Sequence, residues 1–304
     1  MAGPPHETRC SAVSAGLGEP LAGTAFTDSR LLCVEHLGPW PRSVDRHPDP
    51  AVAALVARAR TAGRRTLLVR RPGRRPGPDS GRTLLLADTA PGRTRVGALR
   101  VRGPEELADV PLDDAGAGAP VDAPMLLVCT HGTRDLCCAV EGRSLAASVL
   151  ATEPEDRAAG LWECSHLGGH RFAPTALVLP TGYLYGRLDV ATAIAARKAA
   201  GQGEVETAHC RGRIAWEPVG QVAELRIREA EGLRDADGLT IGRALPVHGE
   251  AGDEAPVDVP VSAADGRRRL VRVAPSPDAP RPLSCGAGLA RVAPLVATGV
   301  RALA

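Results

Sequence analysis

LLVCTHGTRDLCC, residues 126–138, and WECSHLGGH, residues 162–170, decide how this chain is read. Each is an apolar run that breaks into a glycine-containing loop, and the loops carry Cys129, Cys138, His166 and His170. Met125 to Val128 reads as a buried strand delivering Cys129, and Ala139 to Leu150 reads as a helix. A second strand near Leu161 to Glu163 delivers the HLGGH loop. Two soft thiolates and two imidazoles form a donor set that suits a 2Fe-2S cluster or zinc.

Further along, Ala176 to Leu179 and Tyr183 to Leu188 are apolar strands joined by Pro180-Thr181-Gly182, a hairpin signal. Asp189 suits the N-cap of a helix ending at Gly201, with Arg197 and Lys198 in its last turn. The expected order is β-α-β-β-β-α, that of a thioredoxin-like domain with its chemistry at the C-terminal end of the first strand. The fold class expected is therefore α/β, with this domain over 124–204.

Upstream, LLCVEHL, TLLVRR and TLLLADT read as strands around one helix at Asp49 to Arg60, separated by Pro/Gly clusters. They make an N-terminal α/β region over 1–115. Both halves open on an apolar strand and a Gly/Pro loop, so this region can be read as a degenerate, ligand-free thioredoxin-like unit, though no internal repeat is strong enough to assert. From Arg58 to Arg82 nine arginines face one acid, Asp79. They read as a solvated loop, with docking of an acidic redox partner as the alternative. GPEELADVPLDDAGAGAPVDA, residues 103–123, has the composition of a surface linker and marks a domain boundary.

Downstream, 205–304 reads as a small α+β appendage. It holds a helix near Gln221 to Glu231 ended by Gly232, and a hairpin of Val257 to Ser262 and Arg268 to Val273 turning at Asp265-Gly266. Pro260 argues for an edge strand there.

A 304-residue chain that is 44% hydrophobic can bury real cores, and with only 2% aromatic residues those cores must be built mainly from Ala, Val and Leu. A net charge of +2 gives no case for a nucleic-acid partner. MAGPPHETRC lacks the pattern of a secretory leader, and no run reaches the length of a membrane span, so a cytoplasmic protein with no membrane partner is expected. Eight cysteines in such a chain argue for reduced or metal-bound thiols over a disulfide scaffold.

Cys129 and Cys138 have eight residues between them, wider than zinc-finger spacing, and Cys138 falls at a helix start, where the dipole favours thiolate. His166 and His170 are separated by Leu-Gly-Gly, which lets a loop fold tightly with both imidazoles inward. Rival donors lie in the same segment. Cys129-x-His131 and Cys164-x-His166 would make a Rieske-like set with one Cys and one His per loop. Cys137 could replace Cys138, although adjacent cysteines normally send only one side chain to a site. His131 reads as a partner for backbone, and Arg134 and Asp135 as a local ion pair shaping the loop. Cys10, Cys33, Cys210 and Cys285 read as incidental buried thiols.

CTHGTRDLCC followed by ECSHLGGHRFA closely resembles the sucrase/ferredoxin-like family, most strongly across residues 125–200 and more loosely at LLCVEHLGPWPR and the tail. The resemblance implies a thioredoxin-like ferredoxin whose 2Fe-2S cluster is held by Cys129, Cys138, His166 and His170. It implies an electron carrier served by a redox partner protein rather than a hydrolase, and no acid/base pair of glycosidase type supports the word sucrase. Imidazole ligation should raise the potential above that of an all-cysteine plant-type centre. If a ligating imidazole takes up a proton on reduction, the potential falls as pH rises, and a flat potential between about pH 6 and 10 would contradict that coupling. A structural zinc module with a binding role is the alternative from another class. A thiol oxidoreductase using Cys137 or Cys138 ranks last, for want of a Cys-x-x-Cys pair.

Overall fold

The computed structural model describes residues 8–73, 81–153, 160–247, 252 and 255–303. It is a mixed α/β structure of five α-helices and two large sheets among the described residues. In the first half, β1 (Arg30–Glu35) leads through α2 (Pro50–Thr61) to β2 (Arg65–Arg70), β3 (Arg82–Asp88), β4 (Arg95–Val101) and β5 (Ala119–Pro120), with a short α1 (Cys10–Gly16) ahead of them. In the second half, β6 (Met125–Cys129) leads through α3 (Leu136–Thr152) to β7 (Leu161–Cys164), β8 (Ala176–Leu179), β9 (Tyr183–Tyr185), α4 (Val190–Gly201) and β10 (Cys210–Arg213).

These ten strands form one sheet in the order β10-β9-β8-β6-β7-β2-β1-β3-β4-β5. Within it the order β7-β6-β8-β9 has a counterpart in β2-β1-β3-β4. In each set the first two strands are parallel and bridged by a helix, and the third and fourth return antiparallel. The sets meet along β2 and β7, where Val69 pairs Cys164 and Arg70 pairs Glu163.

Burial explains the sequence pattern. All five residues of β6, MLLVC, are buried, as expected for a strand covered on both faces. Leu127, Cys129 and Cys138 join one core, while Leu126 and Val128 join the core under α3 and α4. Helix starts follow local chemistry. The Asp49 carboxylate accepts from the Ala51 amide at 2.9 Å, and that of Asp189 from Thr192 at 2.7 Å. Gly232 ends α5 (Pro218–Glu231) at φ 66°.

Beyond the large sheet, β11 (Leu239–Ile241), β12 (Leu245–Pro246), β13 (Val257–Ala263), β14 (Arg268–Pro275) and β17 (Leu295–Leu303) form a second sheet against α5, and β15 (Arg281–Pro282) pairs β16 (Leu289–Ala290). The tail is thus more than a helix and a hairpin. Pro260 does not lie on an edge strand: β13 has β14 on one side and the short β11 and β12 on the other. The Pro260 carbonyl accepts from Gly242 at 2.8 Å in the gap between β11 and β12, where a missing N–H costs no ladder bond.

Two other expectations change. The 103–123 stretch is no free connection, since Leu107, Val110, Leu112 and Ala115 are buried. Among the described residues much of the arginine-dense stretch is engaged by other segments, although Arg58 and Arg60 are exposed. Arg58 caps the Leu107 and Val110 carbonyls, buried Arg64 caps those of Leu31, Ala87 and Leu112, and Arg70 pairs Glu163 at 2.7 Å. Arg74, Arg75 and Asp79 lie outside the described residues. No helix among the described residues is long and apolar enough to cross a membrane.

Candidate metal centre

The site sits where β6 and β7 end side by side. The Cys129 amide donates to the Thr175 carbonyl at 2.9 Å and the Thr130 amide to Cys164 at 3.1 Å, which pins the strand end as the chain leaves the sheet. The chain then turns into α3, whose N-cap is Asp135, its carboxylate accepting from the Cys137 amide at 2.9 Å. Gly142 lets α3 come down on this end of β6: a Cβ there would lie 2.0 Å from the Cys129 carbonyl oxygen. Cys138 is thereby held beside Cys129 in the first turn of the helix.

The second loop is anchored from both sides. Ser165 exchanges two hydrogen bonds with the Leu68 backbone, at 2.7 and 2.9 Å. The His166 amide donates to His131 Nδ1 at 3.0 Å, so His131 carries its proton on Nε2 and donates it to the Pro41 carbonyl at 3.0 Å. Gly168 and Gly169 both take positive φ, 79° and 67°, and a Cβ on Gly169 would collide with the Arg211 guanidinium. The loop closes on the single 3-10 turn His170–Phe172.

The donor atoms of Cys129, Cys138 and His166 lie within 4.8 Å of one another. His170 stands beside this trio, its ring centroid 5.2 Å from that of His166 and its Nε2 3.6 Å from Asp135 Oδ2. Both cysteines are buried. The Cys138 thiol donates toward Cys129 and holds its pKa well below the usual thiol range, burial opposing and His166 assisting. Cys138 moves up for the reciprocal reason. Burial pushes the His170 imidazole down, against the pull of Asp135, and so favours the neutral form that ligates metals. His166 Nδ1 and both ring nitrogens of His170 are buried without a hydrogen-bond partner. Such orphans cost about 1–3 kcal/mol each and are what a ligand would satisfy.

The rival donors are placed elsewhere. His131 spends both nitrogens on backbone groups, and buried Cys164 packs in the sheet core outside the donor trio. Cys137, one residue from Cys138, faces away, toward Cys10 and Cys285, which are therefore not incidental thiols. Asp135 is no partner of Arg134, being spent on the amides of Cys137 and Cys285.

Sequence reasoning missed Arg211, a fully buried guanidinium that donates to the Gly168 carbonyl at 3.0 Å and to Thr24 Oγ1 at 2.9 Å. Burial first, then Arg171, lowers its pKa to about 9, while the field of Cys129 and Cys138 opposes this. No local pattern marks it, because CRGR on β10 reaches the loop only through the fold. His166 also lines a cavity of about 440 Å³ with His131, Arg42, Arg60 and Arg134.

Compared with curated proteins and with solved structures, the chain matches none. A family model described as sucrase/ferredoxin-like matches residues 21–212, a span that takes in both halves of the large sheet and all four expected donors. Over more than half its length the chain fits that one family, and it belongs to the sucrase/ferredoxin-like proteins.

Proposed function

We propose that this protein is an electron carrier of the cytoplasm whose 2Fe-2S cluster is held by Cys129, Cys138, His166 and His170 on a thioredoxin-like domain spanning 124–204. The observation that carries the reading is the Cys129–Cys138–His166 trio, both cysteines buried, with His170 beside it and His166 Nδ1 buried without a hydrogen-bond partner. The donor set of two thiols and two imidazoles fits such a cluster. The β7-β6-β8-β9 order and its pairing senses support a thioredoxin-like domain, and the matching β2-β1-β3-β4 set supports reading 1–115 as its ligand-free relative.

When bound, the cluster supplies one-electron transfer. The chain's own residues set the conditions. His131 orients the His166 loop through its two backbone bonds. The N-terminal half braces the loop between Cys129 and Cys138 from outside: Trp40 packs edge-on against His131 with centroids 5.8 Å apart, and its carbonyl accepts from Thr133 Oγ1 at 3.0 Å. Buried Arg211 places a positive charge behind the HLGGH turn, which favours the reduced, more negative state. The His166 cavity is the route by which a redox partner protein would reach the site.

The test is an anaerobic visible spectrum with iron and sulfide assays on the full chain. About two irons and two sulfides per chain and bleaching by dithionite are expected. His166→Cys or His170→Cys should keep a cluster at lower potential, and Cys129→Ala or Cys138→Ala should lose it. A colourless, iron-free protein from iron-replete cells would overturn the reading.

A further inference from the structure

Three sulfurs that the electron-transfer reading does not use converge from the two ends and the middle of the chain. Cys10 Sγ lies 3.6 Å from Cys137 Sγ and 3.7 Å from Cys285 Sγ, and Cys137 and Cys285 are 3.2 Å apart. Cys10 Sγ is 3.9 Å from Asp135 Oδ1, and all four donor atoms fall within 4.8 Å of one another. Three of the four residues are buried and Cys285 is half-buried. Cys10 opens α1, Cys137 lies in the first turn of α3, and Cys285 lies in the turn between β15 and β16.

We propose that Cys10, Cys137, Cys285 and Asp135 hold one zinc ion, separate from the cluster ligands, that fastens both ends of the chain to α3. A tetrahedral zinc with bonds of about 2.3 Å to sulfur sets sulfurs about 3.8 Å apart, within a few tenths of an ångström to 0.6 Å of what is found here. Packing alone gives no reason for three thiols from positions 10, 137 and 285 to meet, since a lone buried thiol behaves as a small apolar group content with any neighbour.

The surroundings point the same way. Ser11 Oγ stands 3.2 Å from Cys137 Sγ and donates to Glu141 Oε1 at 2.5 Å. The amides of Cys137 and Cys285 each donate to one oxygen of Asp135 at 2.9 Å, which orients the carboxylate while leaving it lone pairs. Successive side chains on a helix project about 100° apart, so Cys137 serves this group while Cys138 serves the other. Three thiols and a carboxylate make a zinc donor set. Binding forms three Zn–S bonds and one Zn–O bond and releases the thiol protons to solvent. No electron moves.

The experiment is zinc, iron and sulfide analysis of the full-length protein beside Cys10→Ser and Cys285→Ser, with Cys33→Ser as control. About one zinc per chain is expected in the parent and the control, and zinc at background in both test variants with iron and visible spectrum retained. Should a variant fail to fold, the parent is alkylated with and without a zinc chelator and mapped by mass spectrometry. Labelling of Cys10, Cys137 and Cys285 only after chelation supports the site. A zinc-free parent, zinc retained in both variants, iron at these thiols, or a Cys137–Cys285 disulfide would overturn it. Failure of the 2Fe-2S reading would show in the iron and sulfide values and leave the dependence of zinc on Cys10 and Cys285 unchanged.

Discussion

At the scale of single residues, Gly142 holds its neighbours in place and His36 makes the fold sensitive to acid. Gly142 is the point where α3 touches the end of β6, and Gly142→Ala puts a methyl against the Cys129 carbonyl. The helix must then shift, carrying Cys138 with it. We expect a loss of about 2 kcal/mol or more in thermal unfolding together with lowered iron content. His36 makes an acid-sensitive spot outside the site. Burial first, then neighbouring His47 and Arg82, pushes its pKa down to about 4, with Asp49 and the Pro39 backbone opposing. The unfolded chain takes up this proton near pH 6.5 and the folded one only near 4, so stability is full above about pH 6.5 and is lost as pH falls through that window. Denaturant unfolding between pH 7 and 4 should show a shallower loss in His36→Gln, and equal slopes in both proteins would contradict the assignment. That Cys129, Cys138 and His166 come together was legible because these thiols and the imidazole adjoin apolar runs. Arg211, Asp135 and the Cys10–Cys137–Cys285 meeting were not, since each depends on segments brought together from distant parts of the sequence.

Among elements, what closes the site is a buried ion network that local patterns do not show. Glu19 accepts from Arg171 at 2.9 Å and from Ser14 at 2.7 Å, and its carboxylate lies 3.2 Å from Arg281, which also pairs Asp278. Glu19 and Arg281 are fully buried, and Arg171 directly follows His170. The network therefore ties α1, the His170–Phe172 turn and the β15–β16 segment together. Glu19→Gln leaves both arginines short of a partner and should cost about 3 kcal/mol in denaturant unfolding, with faster hydrogen exchange at residues 170–172. A change under half that size would mean the network contributes little. Strands with continuous apolar runs, β1, β2, β3, β6 and β8, were readable, as were the helices announced by Asp49 and Asp189. β4 was missed because RVGALRV carries a glycine and two arginines, and α1 because seven residues give no period to read.

For the molecule as a whole, the large sheet sets two similar strand orders edge to edge, with the donors on one half and Trp40 and Pro41 of the other bracing the loop that carries them. The likeness of the two strand orders was hidden in the sequence because the two first-strand loops, HLGPWPR and CTHGTRDLCC, share little beyond glycine. The second sheet was legible only at its Asp265-Gly266 hairpin, because β11 and β12 are too short to announce themselves and exposed β17 lacks an apolar stripe. Mixed thiolate and imidazole ligation is read out by pulsed electron paramagnetic resonance on the dithionite-reduced full chain labelled with nitrogen-15 histidine. The account predicts a paramagnetic centre coupled to two histidine nitrogens, one of them lost in His166→Cys and the other in His170→Cys. A reduced centre with no histidine coupling, or no paramagnetic centre in protein that carries iron, would contradict it.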